Sequence, residues 1–386
     1  MKRLRIGVLF GGRSTEHEVS ILSAQSIISA MDPDRFEAVP LYIDKNGRWL
    51  VGGSLKRLVS DDATRNYVYL PPDPTQHSLV AANNGPSQEL PSPARGGGGQ
   101  GGGLPPLDVI FPVFHGLNGE DGTIQGVLEL ANIPYVGAGI LGSALGLDKV
   151  HMKQAFAAAG LPIVDYLSIT RRKYEQDPDA VIALVEQRIG YPCFSKFANS
   201  GSSVGTTKAH DRAELAAGLR LAASFDRKLV VERAVDAREL EVSVLGNDEP
   251  QASVVGEVVP AHEFYDYEAK YLDEGSRLLI PAPIESGVAE DVRAMALQAF
   301  QAVDAAGMAR VDFFMERTTG RILVNELNTI PGFTRISMYP KLWDASGLAY
   351  PKLIERLVEL AIERFNDKQR SQTAIDSRLL DPRSDE

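Results

Sequence analysis

The chain has 386 residues, 44% of them apolar and 24% charged, the ordinary balance of a soluble globular protein; at about 150 residues per domain this allows two or three domains. With 40 Lys and Arg against 51 Asp and Glu the formal charge is −11, which argues against a nucleic-acid coat or a binder of anionic membranes and leaves room only for a local basic pocket. The single cysteine, Cys193, excludes an intrachain disulfide and a Cys-rich zinc site and suits a reducing cytosol. No apolar run reaches the roughly 18–20 residues of a membrane-spanning helix, and the stretch after Met1-Lys2-Arg3 ends by Phe10, too short for a signal-peptide core.

In chain order, residues 4–10 (LRIGVLF) predict a buried strand, followed by a Gly-Gly turn, a helix from about Glu16 to Met31 and a second strand over Ala38–Ile43, the opening of a parallel α/β domain. A third strand is predicted at Leu107–Phe114 and a helix at Thr123–Asn132. The long polar stretch between the second and third strands ends in a Gly-rich, Pro-flanked run, read as a flexible surface insertion at about 83–106. One helix is expected over Ser143–Ala159. Then come Ile163–Ile169, a helix at 178–189, strands at Cys193–Lys196 and Val204–Lys208, a helix at 211–225 and a strand at Lys228–Val231. Beyond Glu239 two alternating strands lead through an irregular stretch near 260–282 to a long helix at about 287–306, strands at 308–316 and 321–328, a helix over Pro351–Phe365, and a polar tail.

The sharpest chemical signal is the hairpin formed by 308–316 and 321–328. A three-residue loop with Gly320 at its third position sets Asp312 opposite Glu326 and Arg310 opposite Asn328, all four on one face. Directly opposed carboxylates repel unless a cation lies between them; two carboxylates and an amide oxygen are hard ligands suited to Mg²⁺ completed by phosphate oxygens, and the plainer alternative is a solvated face with Asp312 paired to Arg310 or to a lysine. The run Lys196–Gly205 (KFANSGSSVG) joins a lysine-bearing strand to a Gly-Ser loop able to approach phosphates, although such loops are more often plain turns and the Walker spacing is absent. In GGRSTEHEVS (11–20), Thr15 and Glu18 read as a capping box, while Glu16 either aims at the crevice beyond the strand ends, where it could hold an ammonium group, or serves only as an acidic residue at a helix N-terminus. In HGLNGEDG (115–122), His115 ends a strand and Asp121 is an expected N-cap. Cys193, between Pro192 and Phe194, reads as a buried, inert thiol.

Taken in order, GGRSTEHEVS, HGLNGEDGTIQG (115–126), DK (148–149), KFANSGSSVG, ERAVDARELEV (232–242), FYDYEAKY (264–271), ARVDFF (309–314) and NELNTIPGFTRISMYPKLW (325–343) resemble the D-alanine–D-alanine ligases of the ATP-grasp superfamily. The resemblance implies an α/β and α+β architecture: a Rossmann-like N-terminal domain at 1–140, a central ATP-grasp domain at 141–235, a C-terminal ATP-grasp domain at 236–366, and a tail at 367–386. It implies joining of two D-alanines at the expense of ATP, through a D-alanyl phosphate, for peptidoglycan synthesis by a cytoplasmic homodimer without nucleic-acid or membrane partners. By position, Lys149, Lys196, Ser203 and Lys270 would hold ATP phosphates and Glu232 and Glu239 the adenine–ribose portion, while Asp312, Glu326 and Asn328 would carry two Mg²⁺, with Mn²⁺ as a substitute. Glu16 and His115 would bind the first D-alanine and Ser337 the second. Arg310 and the Gly332 N–H would meet the oxyanion, and Tyr271, on a closing loop, would approach Glu16 and Ser202.

The chain departs from the family pattern at Ser195 and Phe197, which flank Lys196, and at Arg335. The alternatives are a D-alanine–D-lactate ligase, disfavoured by Tyr271, and a non-catalytic nucleotide-binding module, disfavoured by retention of Arg310, Asp312, Glu326 and Asn328. An NAD-dependent oxidoreductase lacks the glycine fingerprint.

Overall fold

The computed structural model describes residues 2–60, 66–82, 105–199, 201, 205–260 and 277–372. The Gly-rich run, Ser202, Ser203, Lys270, Tyr271, most of the stretch expected to be irregular and the end of the tail lie outside the described residues.

The first sheet contains β1 (Leu4–Gly11), β2 (Phe36–Ile43), β3 (Trp49–Val51), β4 (Asn66–Tyr69), β5 (Val80–Ala81) and β6 (Val109–Pro112), in the order β5-β4-β3-β2-β1-β6. Its β2-β1-β6 part is parallel, as expected. The polar stretch after β2, however, does not run straight to a third strand: it contributes β3–β5 as an antiparallel extension, so the sheet is mixed. These strands are too short for alternation to stand out from their polar surroundings. Along β1, Ile6, Val8 and Phe10 enter one apolar cluster and Leu9 the one on the opposite face, the two-sided burial of a central parallel strand. Helix α1 (His17–Ala30) covers the first face and α3 (Thr123–Leu130) the second; α2 (Leu55–Val59) lies between β3 and β4.

The capping box does not form. Glu16 itself is the N-cap residue of α1, and Glu18 turns outward to accept from Lys45 Nζ at 2.6 Å instead of reaching back. At α3 the N-cap position is Gly122, whose φ of 89° suits glycine; Asp121 instead ties the loop from one residue earlier, accepting from Thr123 N and Asn118 N, each at 2.9 Å.

The single helix expected over Ser143–Ala159 is two, α4 (Ile140–Leu147) and α5 (Lys149–Ala158). Asp148 leaves the helical region, with ψ at 99°, and its Oδ1 accepts from Val150 N and His151 N, both at 3.1 Å. It therefore ends one helix and caps the next, an ordinary role for aspartate that apolar periodicity cannot reveal. The second sheet is antiparallel, in the order β7-β10-β8-β9, from β7 (Tyr166–Thr170), β8 (Cys193–Phe197), β9 (Thr207–Ala209) and β10 (Lys228–Arg233), with α6 (Arg171–Gln176), α7 (Pro178–Arg188) and α8 (Arg212–Phe225) in the connections. Ile163, read as part of β7, instead bridges to Val324 in the third sheet.

That third sheet is antiparallel as well, in the order β13-β12-β11-β14-β15: β11 (Ala237–Gly246), β12 (Gln251–Val259), β13 (Arg277–Leu279), β14 (Gly307–Glu316) and β15 (Ile322–Asn328). Val242, Val311, Phe313 and Leu327 pack on α5 and on α9 (Ser286–Ala302), which leaves the other face of the sheet for polar side chains. Two helices follow, α10 (Met338–Ala345) and α11 (Tyr350–Lys368). Helix α11 extends past the predicted end into the sequence read as tail. It packs Leu353, Ile354, Leu357 and Val358 against Ile6, Val8 and Phe111 of the first sheet, so the chain returns to where it began.

Replacing Asp148 by Ala removes the cap of α5 and the carboxylate paired with Lys228 Nζ. We expect a loss of about 0.5–2 kcal/mol in urea unfolding, with Asp148→Asn retaining most of the capping share; an unchanged midpoint for the alanine variant would show that the helix break is held by other contacts.

Candidate active site

The polar face of the third sheet carries a row of acids. Glu241 on β11 pairs with Asp312 on β14, which pairs with Glu326 on β15, and Arg310 pairs with Asn328. The expected pairing at the site is present, but the expected turn is not. The loop has four residues, 317–320, closed by hydrogen bonds from Glu316 N to Arg321 O and from Gly320 N to Glu316 O, both 2.9 Å. This offsets the pairing by one residue as far as Phe313–Val324, and a β-bulge at Asn325 restores it at Asp312–Glu326.

Like charges in a row need compensation, and two cations supply it. Arg310 donates from Nε to Asp312 Oδ1 and from Nη2 to Asp312 Oδ2, each at 2.7 Å, while its Nε lies 3.1 Å from Glu241 Oε2. Burial opposes the charged guanidinium, but Asp312 and Glu241 outweigh it and hold the Arg310 pKa well above its ordinary value. Lys149, the first residue of α5, places Nζ 3.2 Å from Glu326 Oε2. Asn328 Nδ2 donates to Asp312 Oδ2 at 3.2 Å.

The second sheet supplies the facing wall. Lys196 on β8 sits 2.7 Å from Glu232 Oε2, and the fully buried Lys153 of α5 sits 3.1 Å from Glu232 Oε1. Burial pushes the Glu232 carboxyl up, and the two lysines more than offset this, holding it at about 2. Both Glu232 oxygens are thus turned toward ammonium groups, a different engagement from the adenine–ribose contact expected of this residue. Lys149, Lys196, Glu232, Glu239, Asp312 and Glu326 all border one cleft of about 890 Å³.

A second cavity of about 420 Å³ opens at Glu16. A Cβ on Gly201 would fall 2.6 Å from Glu16 Oε2 and one on Gly116 would fall 3.2 Å from it, so two glycine-bearing loops close on this buried carboxylate. His115 Nδ1 lies 3.0 Å from the carbonyl of Ile330, which can only accept; the proton is therefore assigned to Nδ1, leaving Nε2 an acceptor without a protein hydrogen-bond partner among the described residues. Burial lowers the His115 pKa while the nearby Glu16 raises it and Arg310 lowers it, which places all three within one another's field.

Glu120, which the sequence reading passed over, joins the two loops around His115. Its Oε2 accepts from Gly116 N at 2.8 Å and its Oε1 from Ile330 N at 2.9 Å, and burial is the main cause of a pKa pushed up to about 8. Gly332 and Ser337 lie together beyond Ile330. Ser337 Oγ accepts from Thr334 N at 3.1 Å, and a Cβ on Gly332 would fall 3.0 Å from that oxygen. Cys193 is buried, and burial pushes its thiol up to about 11, in keeping with an inert role.

Among the described residues no three His, Cys, Asp or Glu side chains converge on a metal-sized site. The hairpin brings together two carboxylates and a carboxamide, an oxygen-only set that fits a hard divalent cation drawing its other ligands from phosphate and water.

The sequence matches the family description "D-ala D-ala ligase N-terminus" over residues 5–138 and "D-ala D-ala ligase C-terminus" over residues 155–359. It is 50% identical over 379 residues to the D-alanine–D-alanine ligase of Heliobacterium modesticaldum, covering 97% of this chain and 98% of that one. The fold superposes on the D-alanine–D-alanine ligase from Coxiella burnetii with a TM-score of 0.81 at 33% identity, covering 96% of this chain and 97% of that chain. It superposes on the VanG D-Ala:D-Ser ligase from Enterococcus faecalis with a TM-score of 0.79 at 31% identity, covering 93% and 100%. Sequence and fold thus agree across nearly the whole length, and the chain belongs to the D-alanine–D-alanine ligase family of ATP-dependent ligases.

Proposed function

We propose that this protein joins two D-alanine molecules, consuming ATP and releasing D-alanyl-D-alanine, ADP and phosphate for peptidoglycan precursor synthesis. The observation that carries the reading is the pairing of surfaces across one cleft. Lys149 and Lys196 border it together with the opposed Asp312 and Glu326, and the buried Glu16 lies within the field of His115, which also feels Arg310.

A carboxylate is a poor electrophile, so an oxygen of the first D-alanine's carboxylate attacks the γ-phosphorus and the bond to the β–γ bridging oxygen breaks, leaving ADP and an acyl phosphate. Glu16 holds the ammonium of that D-alanine, with His115 beside it, and Lys149 and Lys196 steady the phosphates. Two magnesium ions held by Asp312, Glu326 and Asn328, with manganese as a substitute, would supply charge neutralisation at the phosphate oxygens. The neutral amine of the second D-alanine, its carboxylate at Ser337, then attacks the acyl carbon. Arg310 and the Gly332 N–H meet the tetrahedral oxygen, and as the tetrahedral species collapses its C–O bond to the phosphate breaks, the peptide bond remains and the amine proton leaves with the phosphate. Acyl phosphates hydrolyse in water, so the reaction needs water kept from the site; Lys270 and Tyr271, to which the resemblance gives that task, lie outside the described residues.

The direct test is phosphate release from ATP with D-alanine, L-alanine, D-lactate or no acceptor added. D-alanine alone should give robust release and the dipeptide; preferential ester formation with D-lactate, or nucleotide binding without turnover, would replace the reading. Arg310→Ala should lower kcat by about 10²–10³-fold, the usual consequence of losing one oxyanion donor, with ATP affinity little changed. A matching loss of ATP affinity would assign Arg310 to ground-state binding. Glu16→Gln should raise the KM for the first D-alanine while leaving that for ATP in place; the reverse pattern would remove Glu16 from the ammonium site.

A further inference from the structure

Lys153 is the one lysine among the largest fully buried side chains of the described residues, and the reaction above does not use it. It lies on α5 one helical turn beyond Lys149, so the same face of the helix presents two ammonium groups in different directions. Lys149 meets Glu326 on the acid-bearing hairpin, whereas Lys153 points beneath the cleft. There Nζ lies 3.1 Å from Glu232 Oε1, donates to the carbonyl of the bulged Asn325 at 3.4 Å, and sits 5.8 Å from the centre of the Tyr166 ring. Glu232 Oε2 is in turn 2.7 Å from Lys196 Nζ.

The charges decide what this chain of contacts does. A Glu232–Lys196 pair standing alone would be neutral and would have little pull on an anion. With Lys153 on the other oxygen, one carboxylate is shared by two ammoniums, and the buried trio keeps one surplus positive charge, whose only member bordering the cleft as a cation is Lys196. We infer that Lys153 is a positioning residue for nucleotide phosphates: by sharing Glu232 it holds that carboxylate in place and leaves the charge of Lys196 available to the anion. The inference rests on the reading that this cleft holds ATP. Burial pushes the Lys153 pKa down and the Glu232 carboxylate at 3.1 Å draws it back up, while the two lysines together hold the Glu232 carboxyl down despite burial.

The test is titration of the full chain with MgADP and, separately, with adenosine, which fills the base and ribose portion but carries no phosphate. Lys153→Met should weaken MgADP by about tenfold and raise the KM for ATP in proportion, with adenosine affinity, the KM for D-alanine and kcat at saturating ATP all close to wild type. Lys153→Arg should recover most of the loss. In Lys153→Met/Glu232→Gln no lone buried charge remains and Lys196 is again uncompensated, so MgADP affinity should return toward wild type. Equal weakening of adenosine and MgADP, no weakening of either, or failure of the double variant to recover would overturn the proposal. If Lys153→Met does not fold, Lys153→Gln takes its place, with Lys153→Gln/Glu232→Gln as the double variant and the same expected and overturning results. Absence of MgADP binding by the wild type would instead overturn the nucleotide reading, and this inference with it.

Discussion

Three carboxylates stand side by side on adjacent antiparallel strands, Glu241, Asp312 and Glu326. An arrangement of this kind opposes sheet formation unless positive charge is built in among the acids. Arg310 lies between the first two and Lys149 reaches the third. The two cations come from different parts of the chain, one from within the sheet and the other from the start of α5. Assembly of the acidic row is thus tied to docking of that helix, and α5 is also bonded to the second sheet through Lys149 N and Ala198 O at 3.0 Å.

The same helix explains how a cleft between two sheets keeps its geometry. Met152 and Phe156 anchor it in the apolar layer beneath the third sheet, and its polar positions reach Glu326 and Glu232. A rigid element carrying groups for both walls fixes their separation more firmly than loops would. At the other end of the site, Glu120 performs a comparable task for two loops through backbone amides instead of ion pairs.

Much of this was legible in the residues. Alternation placed Arg310, Asp312, Glu326 and Asn328 on one face, and Gly-rich runs after strands marked the loops that surround Glu16. The correct acid pairing nonetheless rests on a compensation that alternation could not reveal: a loop one residue longer than expected, offset by the bulge at Asn325. The break at Asp148 was hidden because α4 and α5 are apolar on a continuous period, and only the side-chain cap separates them. The expected capping box does not form because α1 starts one residue late for it, with Glu16 rather than Thr15 at the N-cap, and Glu18 pairs across the surface with Lys45. Glu120 and Glu241 lay inside segments already marked, HGLNGEDG and ERAVDARELEV, but their roles depend on contacts with Ile330 and Arg310, far away in sequence. Lys153 did leave one, its spacing of four from Lys149, which a helical reading places on the same face.

The path of α11 bears on how the polypeptide matures. Ile6, Val8 and Phe10 belong to the first described strand, yet the apolar cluster they join includes Leu353, Ile354, Leu357 and Val358 from the last described helix, more than 340 positions later in the sequence. Until that helix arrives, α1 covers only part of this face, and the side chains that α11 seals lack their apolar partners. The carboxy-terminal helix is thus the element that closes the core begun by the amino-terminal strands.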